Sequence, residues 1–491
     1  MSAPPDPGPS AGSGAAENRE PTGRRPATSG QVVAQRFTTR RVASALVRRD
    51  PAPRVDPLRG HTRATVAGGF VAALALGVAA VLGVVDRPTD WRRASIVVAE
   101  HSGALAVVTH DPDDALIGVP NLASARLAAA ALAGAPAPSD PVEVADSTLD
   151  AAPRARPVGI VDAPALPQAD QPGPAVWSVC DTTAPDPAPG VAWTRPRTTT
   201  TVAGAAAPPG RALAPGEGLV VVDRAGQNWL VHDGVRARLD VTRPAVVEAL
   251  GLGGLLPRPA SSGFLAALPE APPITPPAVP GRGSPVPVDL AGERAGGVVR
   301  VVGPGRPDTY LLVLPDGVEV VPELLARLIR LDDPGRSGLP IPTVSPAQVA
   351  SPPLSRAIDP SAFPDPAPVP LPPDRAPTAC ADLAAGAGAA AVTVSTAPLP
   401  QATALRQADG SGDRVDRVLL PGTGAAVRTV GAGAGALVVV SATGTVHGVP
   451  DAATADALGL GRTFSPAPQA VVGLLPSGPT LSVEAATRPL G

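Results

Sequence analysis

The stretch "GLVVVDRAGQNWLVHDGVRARLDVTRPAVVEALGL", residues 218–252, reads as a complete small unit. A β-branched run opens it. A turn containing Gly follows, then a second short apolar run. Next comes a Val before a polar step, and then a helix with Leu or Ala on one face. Turns of three to five residues containing Gly join strands as hairpins, so the stretch predicts a β-hairpin followed by a helix. The same grammar recurs in "IVVAEHSGALAVVTHDPDDALIGVPNLASARLAAAAL" from Ile96, "GVVRVVGPGRPDTYLLVLPDGVEVVPELLARLIRL" from Gly297 and "GALVVVSATGTVHGVPDAATADALGL" from Gly435. Asn121, Thr242 and Asp451 sit near the helix starts, where a side-chain oxygen can accept from free N–H groups. One such unit has too little core to stand alone. Four of them must pack on each other or on a central body.

Composition agrees with small modular cores. The 491 residues include 66 Pro and 52 Gly, and only 2% are aromatic. That length suggests about two to four domains, with cores of Val, Leu and Ala. All 40 basic residues are Arg and none is Lys, a pattern expected of a GC-rich genome. The net charge of −3 gives no global basic field for nucleic acid.

Residues 64–85, "ATVAGGFVAALALGVAAVLGVV", carry no charge. At about 1.5 Å per residue they span about 33 Å, the thickness of a bilayer core. Arg36, Arg40, Arg41, Arg48, Arg49, Arg54, Arg59 and Arg63 precede the run, against Asp50 and Asp56. Charges after it balance, so the positive-inside rule leaves the N-terminus cytoplasmic and the bulk of the chain outside. Residues 1–30 are Pro-, Gly- and Ser-rich and are expected to be disordered. In "QVVAQRFTTRRVASALVRRD", Val33, Phe37, Val42 and Leu46 are expected on one face of a short basic helix. It suits either the inner leaflet or a cytosolic partner.

Only two cysteines exist, Cys180 and Cys380. In an oxidising compartment their simplest reading is a disulfide. A metal site needs further ligands, and no His or Cys lies nearby in sequence. A catalytic thiol leaves the second Cys unexplained. Trp177 is expected to pack against the bond. Each cysteine lies in a segment with strand-like runs, 157–217 and 375–433. These are expected to form one discontinuous central domain, with repeats two and three inserted.

The expected organisation is a disordered 1–30, a basic helix and linker over 31–63, the span 64–85, and repeat 1 over 86–156. The first central half covers 157–217, repeat 2 covers 218–296, and repeat 3 with a Pro-rich linker covers 297–374. The second central half covers 375–433 and repeat 4 with a tail covers 434–491. The Pro-rich stretches 257–288 and 340–377 read as stiff connectors.

Catalytic constellations are scarce. A Walker A loop needs a Lys, and the chain has none. "GAGAGALVVV" at 431–440 leads into a strand, whereas a dinucleotide loop opens a helix. His61, His101, His110, His232 and His447 lack zinc-protease spacing. His110, Asp111, Asp113 and Asp114 form a small acidic loop, read as a solvated turn with a metal as the alternative. "GSG" around Ser411 lacks the strand-to-helix setting of a nucleophile elbow. No catalytic residue, cofactor or metal is assigned.

Several pieces together resemble a known family. "QVVAQRFTTRRVASALVRRDPAPRVDPLRGHTRA", the uncharged run, "DWRRASIVVAEHSGALAVV", "VPNLASARL" and "WSVCDT" are similar to the EccB membrane component of type VII (ESX) secretion systems. The resemblance covers nearly the whole chain after residue 30. It implies an inner-membrane core subunit, α+β, single-pass, with a mostly β periplasmic central domain and four β-hairpin/helix repeats in an elongated arrangement. Implied partners are the EccC motor ATPase, EccD, EccE and the mycosin protease, in homo- and hetero-oligomers. Arg36, Phe37, Arg40, Arg41, Leu46, Arg48 and Arg49 would then be the docking residues of the cytoplasmic helix. Some family members carry an ATPase label, which the residues here do not support. Two other functions fit the sequence: an envelope anchor binding peptidoglycan through its repeats, and a nucleotide hydrolase.

Overall fold

In the computed structural model, residues 28–48, 57–84 and 90–490 are described, apart from 111–112, 133–139, 170, 172, 185–196, 287–288, 385–389, 400–401, 411 and 432–434. The chain divides into two compact units, Met1–Arg87 and Pro88–Gly491. The first contains α1 (Ser29–Arg48) and α2 (Pro57–Val84). Among the described residues, no helix is long and apolar enough to cross a membrane. Residues 64–85 overlap α2, where Val66, Phe70, Val71, Leu74, Leu76 and Val78 are all more than half exposed.

The second unit is mixed α+β, with most of its regular structure in strands. Four modules share one topology. Module 1 has antiparallel strands Ile96–Ala99, Leu105–Thr109 and Ala115–Val119, then α3 (Leu122–Leu132). A fourth strand, Val142–Val144, lies parallel to the first; α4 (Asp146–Asp150) follows, and a fifth strand, Arg154–Ala155, lies parallel to the third. The spatial order is therefore 4-1-2-3-5.

Module 2 repeats that order with Glu217–Val222, Asn228–His232, Val235–Leu239, α5 (Pro244–Ala249), Arg258–Pro259, α6 (Ser262–Ala266) and Glu270–Ile274. Module 3 comprises Val298–Val301, Thr309–Leu314, Gly317–Val321, α7 (Glu323–Leu331) and Thr343–Val344. Its fifth strand is reduced to a parallel bridge, Val318 to Leu354. Module 4 comprises Gly424–Val430, Leu437–Ser441, Val446–Val449, α8 (Ala452–Leu458) and Ser465–Pro468, with the bridge Val446 to Ser477 as its fifth position. Two further short helices follow its strands, α9 (Gln469–Val472) and α10 (Val483–Ala486).

Each module is therefore a three-stranded meander with two parallel edge strands, where the sequence predicts a hairpin. The second apolar run and the stretch after it are separate strands, because a turn of two to five residues sends the chain back antiparallel beside itself. Gly424–Val430 pairs with Leu437–Ser441, so it opens module 4 and is not part of the cysteine-bearing sheet. The Pro-rich 257–288 holds α6 and two module strands, and 340–377 holds Thr343–Val344 and Val369–Pro370. Both are built into sheets and are not free connectors.

A seven-stranded sheet contains both cysteines. Its order is Thr403–Ala404, Arg417–Leu419, Arg197–Ala205, Val176–Ala184, Thr378–Ala384, Ala390–Ser395, Arg211–Ala212. Strands from before module 2 and after module 3 interleave. One face of this sheet, with Trp177 and Val179, buries Phe264 and Leu265 of α6 and Val471 and Val472 of α9. Full burial of an aliphatic or aromatic side chain contributes about 1.5–3 kcal/mol, so each short helix is a firm anchor. The helices that follow the third strands pack in two pairs. Ala123 and Leu127 of α3 meet Ala455 and Leu458 of α8 and Ala486 of α10. Val246 and Ala249 of α5 meet Leu324, Leu325 and Leu328 of α7.

Candidate interaction sites

Along α1, Arg36, Phe37, Arg40, Arg41 and Leu46 are exposed. The side chain of Arg48 and all of Arg49 lie outside the described residues. Phe37 is 63% and Leu46 77% exposed. The expected single apolar face is absent. Val33 and Phe37 are four apart, as are Val42 and Leu46, but the second couple follows the first by nine residues, which turns it about 180° around the axis. The helix thus offers two apolar couples on different sides, separated by arginines, and suits contact with more than one neighbour.

Cys180 and Cys380 lie opposite each other in register and are joined by a disulfide. Both are almost fully buried, beside Ala203 and Leu399. Trp177 does not pack on the bond. Side chains alternate along a strand, so positions 177 and 180 project to opposite faces, and Trp177 joins the core with α6 and α9.

Around the bond the sheet is unusually polar. Asp382, next in register on the cysteine face, accepts from Ser178 Oγ and from Thr393 Oγ1 at 2.6 Å. Thr182 and Thr378 share a 3.0 Å hydroxyl contact. On the other face Asp181 accepts from the Ser261 backbone N–H at 2.6 Å and from Thr200 Oγ1 at 3.0 Å. Ser261 is the N-cap of α6, accepting from Phe264 N. Asp181 therefore fastens module 2 to the central sheet. Burial pushes its carboxyl up to about 6, and the nearby Arg258 works against that rise. Arg258 is itself only 2% exposed, and burial lowers it to about 10. Asp416 accepts from the N–H groups of Thr200, Asp409 and Gly410 at 2.9–3.0 Å. Sequence reasoning singles out none of these carboxylates; an Asp among threonines reads as a solvated strand face.

Asn121 and Asp451 cap α3 and α8, accepting from Ser124 N at 2.9 Å and Thr454 N at 2.7 Å. Thr242 does not cap α5: its hydroxyl donates to Asp240, and Arg243 occupies the N-cap. On the face of module 1 away from α3, a groove of about 550 Å³ is lined by Ala99, Ala106, Leu116, Gly118, Leu149 and Leu490. Asp146 walls one end, held at about 2 by the N–H groups of His101 and Ser102. His110 Nδ1 meets Asp114 at 2.8 Å, and Asp114 also pairs with Arg92. Among the described residues there is no cluster of three or more potential metal ligands.

Residues 24–489 match the family described as "Type VII secretion system ESX-1, transport TM domain B". The chain is 34% identical over 489 residues to "ESX-3 secretion system ATPase EccB3" of Mycolicibacterium smegmatis, covering 93% of this chain and 89% of the relative. It is 33% identical over 478 residues to "ESX-5 secretion system ATPase EccB5" of Mycobacterium tuberculosis, covering 93% and 92%. A chain in the intact ESX-5 inner membrane complex is similar with a TM-score of 0.64 and 29% identity, over 96% of both chains. The EccB3 dimer from the ESX-3 core complex is similar with a TM-score of 0.63 and 31% identity, over 80% of this chain and all of that one. With the match running from α1 through all four modules and the sheet they share, the chain belongs to the EccB family of type VII secretion.

Proposed function

We propose that this chain is a structural core subunit of a type VII secretion inner-membrane complex. One span over residues 64–85 anchors it, α1 lies in the cytoplasm, and Pro88–Gly491 lies in the periplasm. The observation that carries this reading is the similarity to a chain of an intact ESX-5 inner membrane complex over 96% of both chains, the N-terminal unit included. The arginine asymmetry around 64–85 and the outward apolar side chains of α2 support the span and its orientation. The disulfide fits an oxidising compartment.

In this reading α1 docks other membrane components, the EccC motor ATPase, EccD and EccE among them, through Arg36, Phe37, Arg40, Arg41, Leu46, Arg48 and Arg49, and the mycosin protease joins on the periplasmic side. Tagged chain purified from gently solubilised membranes is expected to bring down a large complex containing a motor ATPase; recovery of monomer alone sinks the reading. The chain does not hydrolyse nucleotide in this reading, although its relatives carry ATPase in their names. Support comes from the missing Walker A lysine. Turnover of ATP by the purified chain is expected at background, and saturable turnover that survives repurification refutes that part.

A further inference from the structure

The helices that follow the third strands fall into two kinds. The fifth residue is Arg126 in α3 and Arg327 in α7, but Glu248 in α5 and Asp456 in α8. The helices also end differently. α3 and α7 run for 11 and 9 residues, whereas α5 and α8 stop after 6 and 7, each at "ALGL". There Gly251 (φ +65) and Gly459 (φ +73) take the left-handed conformation. Gly251 N donates to Glu248 O at 3.1 Å and Leu252 N to Val247 O at 2.8 Å. Gly459 N donates to Asp456 O at 3.0 Å and Leu460 N to Ala455 O at 3.1 Å. The two closures are the same, a tight glycine end in which N–H groups beyond the helix return to its last-turn carbonyls.

In the fold, each long helix meets a short one, and the arginine reaches those carbonyls both times. Arg126 Nη1 donates to Leu458 O at 2.8 Å, and Arg327 Nη2 donates to Glu248 O at 3.3 Å. We infer that these four helices are of two kinds, arginine-bearing (α3 and α7) and acid-bearing (α5 and α8), and that each pairs only with the opposite kind. Two arginine-bearing helices would bring two guanidiniums together with no glycine-ended last turn opposite to receive either. Two acid-bearing helices would set Glu248 and Asp456 against helix C-termini, whose partial charge is already negative. The rule excludes α3 on α7 and α5 on α8; modules 2 and 4 meet elsewhere, through α6 and α9. Insertion of modules 2 and 3 between the halves of the central sheet then selects the nested pairs 1–4 and 2–3. A second copy of this chain is bound by the same rule: its module 4, and not its module 3, could replace the native neighbour of module 1.

Amide hydrogen exchange on the full-length chain in detergent tests the inference. Arg126→Glu or Arg327→Glu is expected to speed exchange about tenfold in the two helices of its own pair and to leave the other pair unchanged, the effect of losing one charge-assisted hydrogen bond. Adding Glu248→Arg to Arg327→Glu is expected to return α5 and α7 to within about threefold of wild type, since the two packed helices then again carry one acid and one arginine between them. Unchanged exchange after reversal of a pair's arginine overturns the inference, and so does a double variant no better protected than the single. Arg126→Lys covers a reversal that fails to fold. It keeps the charge, so protection of α3 and α8 should stay near wild type; a loss matching that of Arg126→Ala overturns the rule.

Discussion

Replacing Cys180 and Cys380 together with alanine removes one covalent bond and leaves the seven register pairs between Val176–Ala184 and Thr378–Ala384 to form as before. The native structure should therefore survive, and the loss should act on the unfolded chain. The bond spans a sequence separation of 200 residues. In the chain-entropy account, releasing such a loop returns about 18 cal/mol/K to the unfolded state, or about 5 kcal/mol at 25 °C. Unfolding entropy near 2.1 cal/mol/K per residue over Pro88–Gly491 converts this to a fall of about 6 °C in Tm. Thermal unfolding of wild type and double variant, without reductant, gives the number. Because both cysteines are almost fully buried, reductant added to folded wild type should change little until the chain melts. A Tm difference below about 2 °C would mean that packing alone holds the two halves and that loop closure contributes little. Two free thiols in envelope-derived protein would remove the bond, and with it the argument that this part of the chain lies in an oxidising compartment.

Two buried carboxylates and one exposed glycine give the further outcomes. Asp181, held at about 6 when folded against 3.8 for an exposed carboxyl, binds more protons in the native state. Its contribution is full below about pH 3.8 and is lost as pH rises through about 6, amounting to up to about 3 kcal/mol. Asp181→Asn should therefore flatten the pH dependence of Tm between pH 4 and 7, and an unchanged profile refutes the assignment. Glu293 receives Arg330 at 2.8 Å and Arg336 at 3.2 Å, and Arg330 also donates to the carbonyls of Leu339 and Pro340. Glu293→Gln leaves the buried Arg330 without its carboxylate and should cost about 3 kcal/mol, read as lost exchange protection in α7; a cost below about 1 kcal/mol contradicts the pairing. Gly251→Ala meets nothing within 4 Å of the added Cβ, so its cost should be the conformational one alone, about 1–2 kcal/mol by chemical denaturation.

How much of this is legible in the sequence depends on whether a segment's shape is set by its own residues. Runs such as "LVVV" at 219–222 and "LVVVS" at 437–441 are β-branched and strand-forming wherever they sit. Edge strands of two residues, Arg258–Pro259 and Thr343–Val344, exist only because a neighbouring first strand offers free backbone groups beside them; nothing in their composition announces that. Gly424–Val430 is strand-like in sequence, yet its sheet depends on pairing with Leu437–Ser441 across a turn, which no local pattern reports. The same holds for the carboxylates. Asp181 sits in a Thr-rich strand and reads as solvated, but module 2 arrives from 80 residues away and buries it. Trp177 and the α1 face differ from expectation for a simpler reason, since counting parity along a strand and steps of nine around a helix corrects both.

These non-local features converge on one junction. The strands Val176–Ala184 and Thr378–Ala384 cannot pair until modules 2 and 3 have both been made. The outer strand Arg417–Leu419, which lies parallel to Arg197–Ala205, arrives later still. Module 1 must in turn wait for α8 and α10 near the end of the chain. Each of these closures is thus long in sequence, the slow and entropically costly kind. A disulfide at the midpoint of the interleaved sheet acts where it constrains the unfolded chain most. The contacts that follow it are short helices seated on a sheet already closed, α6 through Phe264 and α9 through Val471. Loss of the bond should therefore lower the stability of the second unit as a whole, whereas loss of Arg126 or Arg327 should loosen one pair and leave the central sheet in place.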